Sequence, residues 1–385
     1  MKLKSIKDTK HLHGQRVLVR VDFNVPVKNG KVQDNFKIQK SLPTIKFLLH
    51  SGARVILVSH LGRPIKKEKK FSLAPVAKEL EKMLNVKVAF EKLEDRDGWE
   101  GKKLVMLENI RFYKGEEDND KIFAKQLADM ADMFVLDGFA VAHRDAASVS
   151  GVQNFLPSYA GLLLVQEIEG LSKVVENPKR PMVVLLGGIK METKIPVLKN
   201  LLPKADKVLL AGGIINTYLA ATGNEVGDSL IDAQYKAEAI KFIKNKKTVA
   251  PVDVVVGTQK GKNARVISLD KKIFLKKGEA IFDIGPKTVA LFAKNLKNAR
   301  TIIFNGALGM FEQPPYQHGT YATVRYLASR VKGKAFGVCG GGETVEILRH
   351  LDLLNDIDLV STGGGAMLEF LSGKKLPGLK NLIKK

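Results

Sequence analysis

Short apolar runs recur along the chain, and most stop abruptly in a polar, basic or glycine-rich cluster. Val17-Leu18-Val19 runs into Arg20-Val21-Asp22-Phe23-Asn24-Val25-Pro26, and 55–58 into Ser59-His60-Leu61-Gly62-Arg63-Pro64. Likewise 104–107 runs into Glu108-Asn109-Ile110-Arg111-Phe112, and Phe134-Val135-Leu136 into Asp137-Gly138-Phe139-Ala140 and on to His143-Arg144. Between them, stretches such as 41–50 and 74–84 repeat their apolar residues at helical spacing. Fully apolar strands alternating with amphipathic helices predict right-handed βαβ units and a parallel sheet covered on both faces. Near residue 158 the pattern changes to one long helix, 159–176, closed by Asn177-Pro178. That helix is the expected connection between two halves.

Beyond it the strand ends change character. Runs 182–186, 208–210, 252–256 and 302–304 end in Gly187-Gly188, Ala211-Gly212-Gly213, Gly257 and Asn305-Gly306-Ala307. The clearest case is 334–371. An apolar run at 335–339 meets Gly340-Gly341-Gly342, then Val345, Leu348 and Leu351 recur at helical spacing. The pattern repeats as strand 357–360, turn Ser361-Thr362-Gly363-Gly364-Gly365 and helix start 366–371. A strand entering a helix through glycines leaves free N–H groups at the positive end of the helix dipole, with no Cβ to bar a bulky anion. Ordinary tight turns are the competing reading, but two such turns in one βαβα unit favour phosphate. In the first half Arg20, His60, Arg63, Arg111 and Arg144 fall at or just after strand ends, where ligands of parallel sheets bind. Their convergence suggests a small anion, with Asp22 and Asn24 available for its hydroxyls or for orienting the arginines. The two halves together predict a compact anion on one domain and a nucleotide on the other.

Composition narrows this further. The chain has 385 residues, enough for about two domains, and an ordinary 45% hydrophobic content. A single cysteine, Cys339, excludes an internal disulfide and suits a reducing compartment. No apolar signal segment or membrane-length run is present, so a soluble, cytoplasmic protein is expected, with no membrane partner. The formal charge of +23 invites a polyanion. Much of the lysine is nonetheless scattered or lies in solvated runs such as 66–70 and the terminal Lys384-Lys385, and no aromatic-interleaved basic stripe is visible. The expectation is no specific nucleic-acid site, only weak binding that salt abolishes.

Across nearly its whole length the chain resembles phosphoglycerate kinases. The matching stretches are VRVDFNVP (19–26), LPTI (42–45), SHLGRP (59–64), ENIRF (108–112), AHR (142–144), LLGGIKMETKI (185–195), DIGPKT (283–288), FNGALGMFE (304–312), GGGET (340–344) and STGGGAMLEFLSGKKLPGL (361–379). The resemblance implies two Rossmann-like α/β domains, each a parallel sheet flanked by helices, joined by a long hinge helix. The implied boundaries are 1–157 for a domain binding 3-phosphoglycerate or 1,3-bisphosphoglycerate and 158–178 for the interdomain helix. Residues 179–371 would form a nucleotide domain, and 372–385 a segment returning to the first domain. It further implies a monomer that moves the acyl phosphate of 1,3-bisphosphoglycerate to ADP with Mg²⁺, making ATP reversibly. On that analogy Asp22, Phe23, Asn24, Lys37, His60, Arg63, Arg111 and Arg144 hold the glycerate substrate. Lys190, Lys194, Gly212, Gly213, Asn305, Ala307, Met310, Glu312, Gly341, Gly342, Glu343 and Thr344 hold the nucleotide, Glu343 also serving the metal. Lys37, Lys194, Gly342 and Gly365 would stabilise the phosphoryl group in flight. Lys190 and Lys194 would face one way if both were helical.

The departures from the family pattern are specific. Lysine stands at position 37 in place of arginine, keeping the charge but not the two-pronged fork. Glu343 replaces an aspartate, Ala307 a proline and Phe304 a tryptophan, and Asp145 follows Arg144 where the family carries a basic residue nearby. The second reading is a degenerate relative that binds ligand or nucleic acid with reduced or no activity. A nicotinamide dehydrogenase ranks low because no G-x-G-x-x-G follows the first strand, and a protein kinase because H-R-D-x-x-x-x-N is missing.

Overall fold

The computed structural model describes residues 1–99 and 101–384; Glu100 and Lys385, the last of the expected terminal lysines, lie outside the described residues. The chain divides into two compact units, Met1–Glu169 with Lys375–Lys385, and Gly170–Lys374.

Strands of the first unit are β1 (Arg16–Arg20), β2 (Val27–Lys28), β3 (Lys31–Val32), β4 (Arg54–Val58), β5 (Ala89–Glu91), β6 (Leu104–Leu107), β7 (Met133–Leu136) and β8 (Ser158–Ala160). Among the described residues six of them form one parallel sheet in the order β5-β6-β4-β1-β7-β8, while β2 and β3 make a small hairpin. The central four, β6, β4, β1 and β7, bury nearly every residue, as strands of a parallel sheet covered on both faces do. Strand order reverses between β1 and β7, so a crevice opens beyond their carboxyl ends. The C-terminal segment belongs to this unit. Lys4 N–H donates to the Leu382 carbonyl (2.7 Å), Gly378 N–H to that of Ala142 (2.9 Å), and Gln153 Nε2 to that of Gly378 (2.8 Å).

The second unit contains β9 (Met182–Leu186), β10 (Lys207–Leu210), β11 (Thr248–Val249), β12 (Asp253–Gly257), β13 (Arg265–Ser268), β14 (Ala280–Ile284), β15 (Thr301–Asn305), β16 (Phe336–Gly340) and β17 (Leu359–Ser361). Its main sheet is also parallel, in the order β11-β10-β9-β15-β16-β17, with its reversal between β9 and β15. The run at 252–256 departs from the expected pattern. As β12 it leaves the parallel sheet and pairs antiparallel with β13 and β14. An apolar run does not carry the identity of its neighbour, so this placement was invisible to periodicity. No helix among the described residues is long and apolar enough to cross a membrane.

The connecting helix is Leu162–Val175, shorter than the expected 159–176, because Ser158–Ala160 pairs with β7 instead. Its first turn is capped from a distance. Leu162 N–H donates to Thr44 Oγ1 (2.9 Å), Leu163 N–H to Asp137 Oδ1 (3.0 Å), and the Thr44 hydroxyl to the same carboxylate (2.7 Å). Orphan donors of a helix start are thus satisfied by β7's end and by the helix Phe36–His50. Position 161 must be glycine, since a Cβ there would stand 2.1 Å from Asp137 Oδ1. Burial pushes the Asp137 carboxyl up to about 7, the bonds from Thr44 and Leu163 offsetting only part of the rise.

A carboxyl raised on folding binds its proton more tightly in the native state. Its contribution to stability is therefore full below the unfolded value near 3.8 and is lost as pH rises through about 7. Asp137→Asn keeps an acceptor and removes the charge. In urea denaturation the variant should gain on the wild type by a few kcal/mol between about pH 4 and 7. A difference between the two that does not vary with pH would refute this.

Candidate functional site

Strand ends of the first unit deliver side chains to one edge. Asp22 lies two residues past β1, and its Oδ2 accepts from Lys37 Nζ at 2.6 Å. Lys37 sits in the first turn of helix Phe36–His50, about one quarter exposed at 28%. Burial works against ionisation of Asp22, yet the charge of Lys37, then His60, and the Lys37 hydrogen bond prevail, lowering its pKa to about 2. His60, two residues past β4, is buried, and its pKa falls well below the usual 6.5. Desolvation is the leading cause; Asp22 opposes it, while Arg20, Arg111 and Arg144 add to it. Gly62 ties two further groups together: its N–H donates to Asn24 Oδ1 (2.9 Å), and its carbonyl accepts from Arg111 Nη1 (2.5 Å). Arg111 also pairs with Glu117 at 3.1 Å, Arg144 is half-buried, and Arg63 is exposed.

Two expectations change here. Arg20 is not a ligand for a solvent anion: it is 1% exposed, and its donors go to Ser148 Oγ (2.8 Å) and the Val21 carbonyl (2.6 Å). Phe23 puts its ring in the core, fully buried, so only its backbone remains near the edge, with its N–H given to Ser59 Oγ at 2.8 Å. Reasoning from sequence missed Glu116 and Ser148, which fix Arg20 from 3₁₀ and π turns far along the chain. The unexpected acid, Asp145, is engaged elsewhere, its Oδ1 accepting from Asn119 Nδ2 (2.8 Å) and Ser150 Oγ (2.5 Å).

In the second unit a pocket of about 490 Å³ opens beyond the β9–β15 reversal. Of the expected residues, Gly212, Gly213, Ala307, Met310, Glu312 and Glu343 line it, together with Gly188. The opposite wall is apolar and comes from β12 and β14, through Val254, Phe282 and Ile284. That wall was missed because the strands' placement was. Lys194, Asn305 and Thr344 do not line the pocket but brace it. Lys194 is buried and its Nζ donates to Asn305 Oδ1, while Asn305 Nδ2 donates to the Gly340 carbonyl at 2.5 Å. One amide thereby joins the ends of β15 and β16 to the helix Met191–Leu201. Burial pulls the Lys194 pKa down to about 8, with the Glu343 charge opposing it. Thr344 Oγ1 accepts from Gly306 N–H (2.8 Å), and Glu343 Oε2 from Ala307 N–H (3.2 Å). Gly341 has φ +101, and a Cβ there would meet Asn305 Nδ2 at 2.8 Å, so glycine is required.

Lys190 and Lys194 do not share a face. Lys190 caps the helix from extended backbone and is exposed, so the four-residue spacing does not apply to it. Gly342 starts the nine-residue helix Gly342–His350, and Gly365 the seven-residue helix Gly365–Leu371; neither lines the pocket.

A family model described as phosphoglycerate kinase matches residues 6–374. A phosphoglycerate kinase of Pelotomaculum thermopropionicum is 41% identical over 406 residues, covering 100% of both chains. One of Coxiella burnetii is 42% identical, covering 97% of each. The solved phosphoglycerate kinase structure from Coxiella burnetii superposes with a TM-score of 0.88 over 98% of both chains. That from Pyrococcus horikoshii gives 0.87 at 30% identity, over 99% of this chain and 98% of the other.

Because the Glu343 charge is what holds the Lys194 pKa up, Glu343→Gln should lower it further below about 8. A ¹³C NMR titration of labelled lysine ε-carbons reads this directly. A Lys194 titration unchanged or moved upward in the variant would contradict the electrostatic link.

Proposed function

The chain belongs to the phosphoglycerate kinase family, and from that premise we propose which of its residues carry the reaction. The enzyme transfers the acyl phosphate of 1,3-bisphosphoglycerate to ADP, reversibly, giving 3-phosphoglycerate and ATP. The nucleophile is an already anionic phosphate oxygen and the leaving group a carboxylate. Neither needs a general base, so catalysis reduces to positioning and to neutralising charge on the moving group.

Arg63, Arg111 and Arg144 receive the phosphate that is not transferred, their guanidinium forks matching its oxygens. Asp22, Asn24 and His60 hold the glycerate carboxylate and hydroxyl, and Phe23 serves through its backbone. Lys37, steadied by Asp22, faces the acyl phosphate as a point charge. On the nucleotide side the apolar wall and Gly212-Gly213 take the base, and Met310 and Glu312 the ribose. Lys190, Gly341 and Gly342 meet the phosphates, while Asn305, Ala307 and Thr344 keep the loops in place. Lys194, with the backbone at Gly342 and Gly365, stabilises the transferring phosphoryl group.

The observation that carries this reading is Lys194. A buried ammonium held by a neutral amide, beside a pocket of nucleotide size, is a cation without a full counter-charge. The Glu343 carboxylate fits Mg²⁺, a hard ion that takes one or two protein carboxylates and completes its shell with substrate phosphates. Glu343, steadied by the Ala307 N–H, would hold the ion, which would neutralise nucleotide phosphate charge. The protein acts as a cytoplasmic monomer on free metabolites, with no specific nucleic-acid or membrane partner.

ATP consumption with 3-phosphoglycerate should depend on Mg²⁺ and stop on chelation; none above background at saturating Mg²⁺ would sink the reading. Lys194 loses its charge as pH rises through about 8 in the free enzyme. Accordingly kcat/KM for ATP should fall above that pH, and Lys194→Arg should lose this limb whatever its absolute rate. Lys37→Arg restores a fork that strengthens as charge builds. It should raise kcat roughly tenfold, about 1–2 kcal/mol, at similar KM, and Lys37→Ala should lower kcat strongly. An unchanged kcat in Lys37→Ala would assign Lys37 to the surface.

A further inference from the structure

A buried side chain outside the substrate set controls one inside it. We infer that Arg20 is a positioning residue that holds His60 as the neutral imidazole with its proton on Nε2, leaving that N–H to donate to the bound 3-phosphoglycerate. The inference rests on the reading of this edge as the 3-phosphoglycerate site.

The argument begins with donors and acceptors. Arg20 Nη2 stands 3.3 Å from His60 Nδ1, both groups buried. A guanidinium has donors only, so the contact requires a lone pair on Nδ1. The ring proton then belongs to Nε2. Asp22 Oδ1 lies 3.7 Å from the same nitrogen, beyond hydrogen-bonding distance, so it does not compete for a proton there. Imidazolium is disfavoured because desolvation and the charges of Arg20, Arg111 and Arg144 together outweigh Asp22. Arg20 cannot rotate away. Its Nε donates to Ser148 Oγ (2.8 Å), and Nη1 to the carbonyls of Val21 (2.6 Å) and Val58 (3.4 Å). Behind it, Glu116 fixes Ser148 twice, accepting from its hydroxyl (2.6 Å) and its N–H (2.9 Å), and lies 3.9 Å from Nη2. The relay Glu116–Ser148–Arg20–His60 is buried throughout and ends on a ring with one committed nitrogen. Without it the imidazole could carry its proton on either nitrogen, and the Nδ1–H form would present an acceptor where an anionic ligand needs a donor.

The wild-type protein, labelled with ¹⁵N-histidine, provides the first test, with His60 assigned by its loss in His60→Gln. Long-range ¹H–¹⁵N spectra should show an unprotonated Nδ1 and a protonated Nε2 from about pH 5 to about pH 8. A proton on Nδ1, or titration near the ordinary histidine pKa, overturns the inference. Arg20→Met supplies the second test. With the fold verified by circular dichroism, the ring should show mixed tautomers, and KM for 3-phosphoglycerate should rise about tenfold with a smaller change in kcat. Arg20→Lys, which keeps one donor, should recover part of both effects. A folded Arg20→Met with the wild-type tautomer and KM overturns the inference, and if that variant does not fold the wild-type spectrum decides. Failure of the wild type to bind 3-phosphoglycerate would instead overturn the site reading, which the spectrum of the free protein does not depend on.

Discussion

Both units bury positive charge before any anion arrives, and much of the surrounding structure serves to make that tolerable. An isolated charge taken out of water costs several kcal/mol even after relaxation, so it must be shared, paired or neutralised. Arg20 is shared among a hydroxyl, two carbonyls and an imidazole nitrogen. Lys37 is paired with Asp22, whose carboxyl stays ionised because of it. His60 is neutralised outright. Lys194 is handled differently again: its partner is an uncharged amide, and burial brings its pKa to about 8 rather than abolishing the charge. Of these groups, Lys194 is the one whose hydrogen-bond partner carries no opposing charge. Under the proposed function, a phosphate entering beside Lys194 would relieve a cost already incurred in folding.

The two edges are built in opposite ways, and the strand ends explain why. The first unit gathers guanidinium groups at its edge, which suit a compact anion that can be gripped from several sides. Burial above all, and then the charge of Arg144, lower the Arg111 pKa; Glu117 opposes this, and the Gly62 carbonyl takes one of the guanidinium donors. The second unit carries glycines at its strand ends and keeps a pocket of about 490 Å³ beside them, which under the proposed function admits a bulky nucleotide against the sheet. Position 306 illustrates the constraint: a Cβ there would lie 2.5 Å from the Gly187 carbonyl oxygen, at φ +85. The loops after β9 and β15 close on each other by Gly188 N–H donating to the Ala307 carbonyl at 2.6 Å. Side chains could not have been packed into that gap.

What the chain revealed in advance follows from the range of each signal. Apolar runs and helical spacing are local, so the alternating architecture and the helix 74–84 were legible. Strand partners are not local, and β12 joined a different sheet from the one its composition suggested. The start of the helix at Leu162 was set by Asp137 and Thr44, distant in sequence. Arg20 shows the limit most clearly. It ends a strand exactly as a ligand-binding arginine would, yet its acceptor Ser148 is 128 residues away. Only burial separates the two roles, and burial is a property of the folded chain. Lys190 fails for a neighbouring reason, since helical spacing presumes a helix that begins one residue later.

Two of the departures from the family's motifs meet in space. Glu343 stands where the family pattern has a shorter acid, and Ala307 where it has a proline. Proline has no N–H, so it could offer nothing to a carboxylate. Alanine has one, and it donates to Glu343 Oε2 at 3.2 Å. The extra methylene gives the acid reach, and the restored N–H gives its far oxygen a partner. Either change alone would leave something unsettled: a longer, looser carboxylate opposite a proline, or an N–H facing a carboxylate too short to approach it. Together they fix one oxygen of the carboxylate and leave its partner oxygen outside that contact. The same carboxylate raises the Lys194 pKa, so its orientation bears on the charge of the buried lysine as well. The two substitutions are therefore better understood as one alteration of the nucleotide edge than as two losses from it.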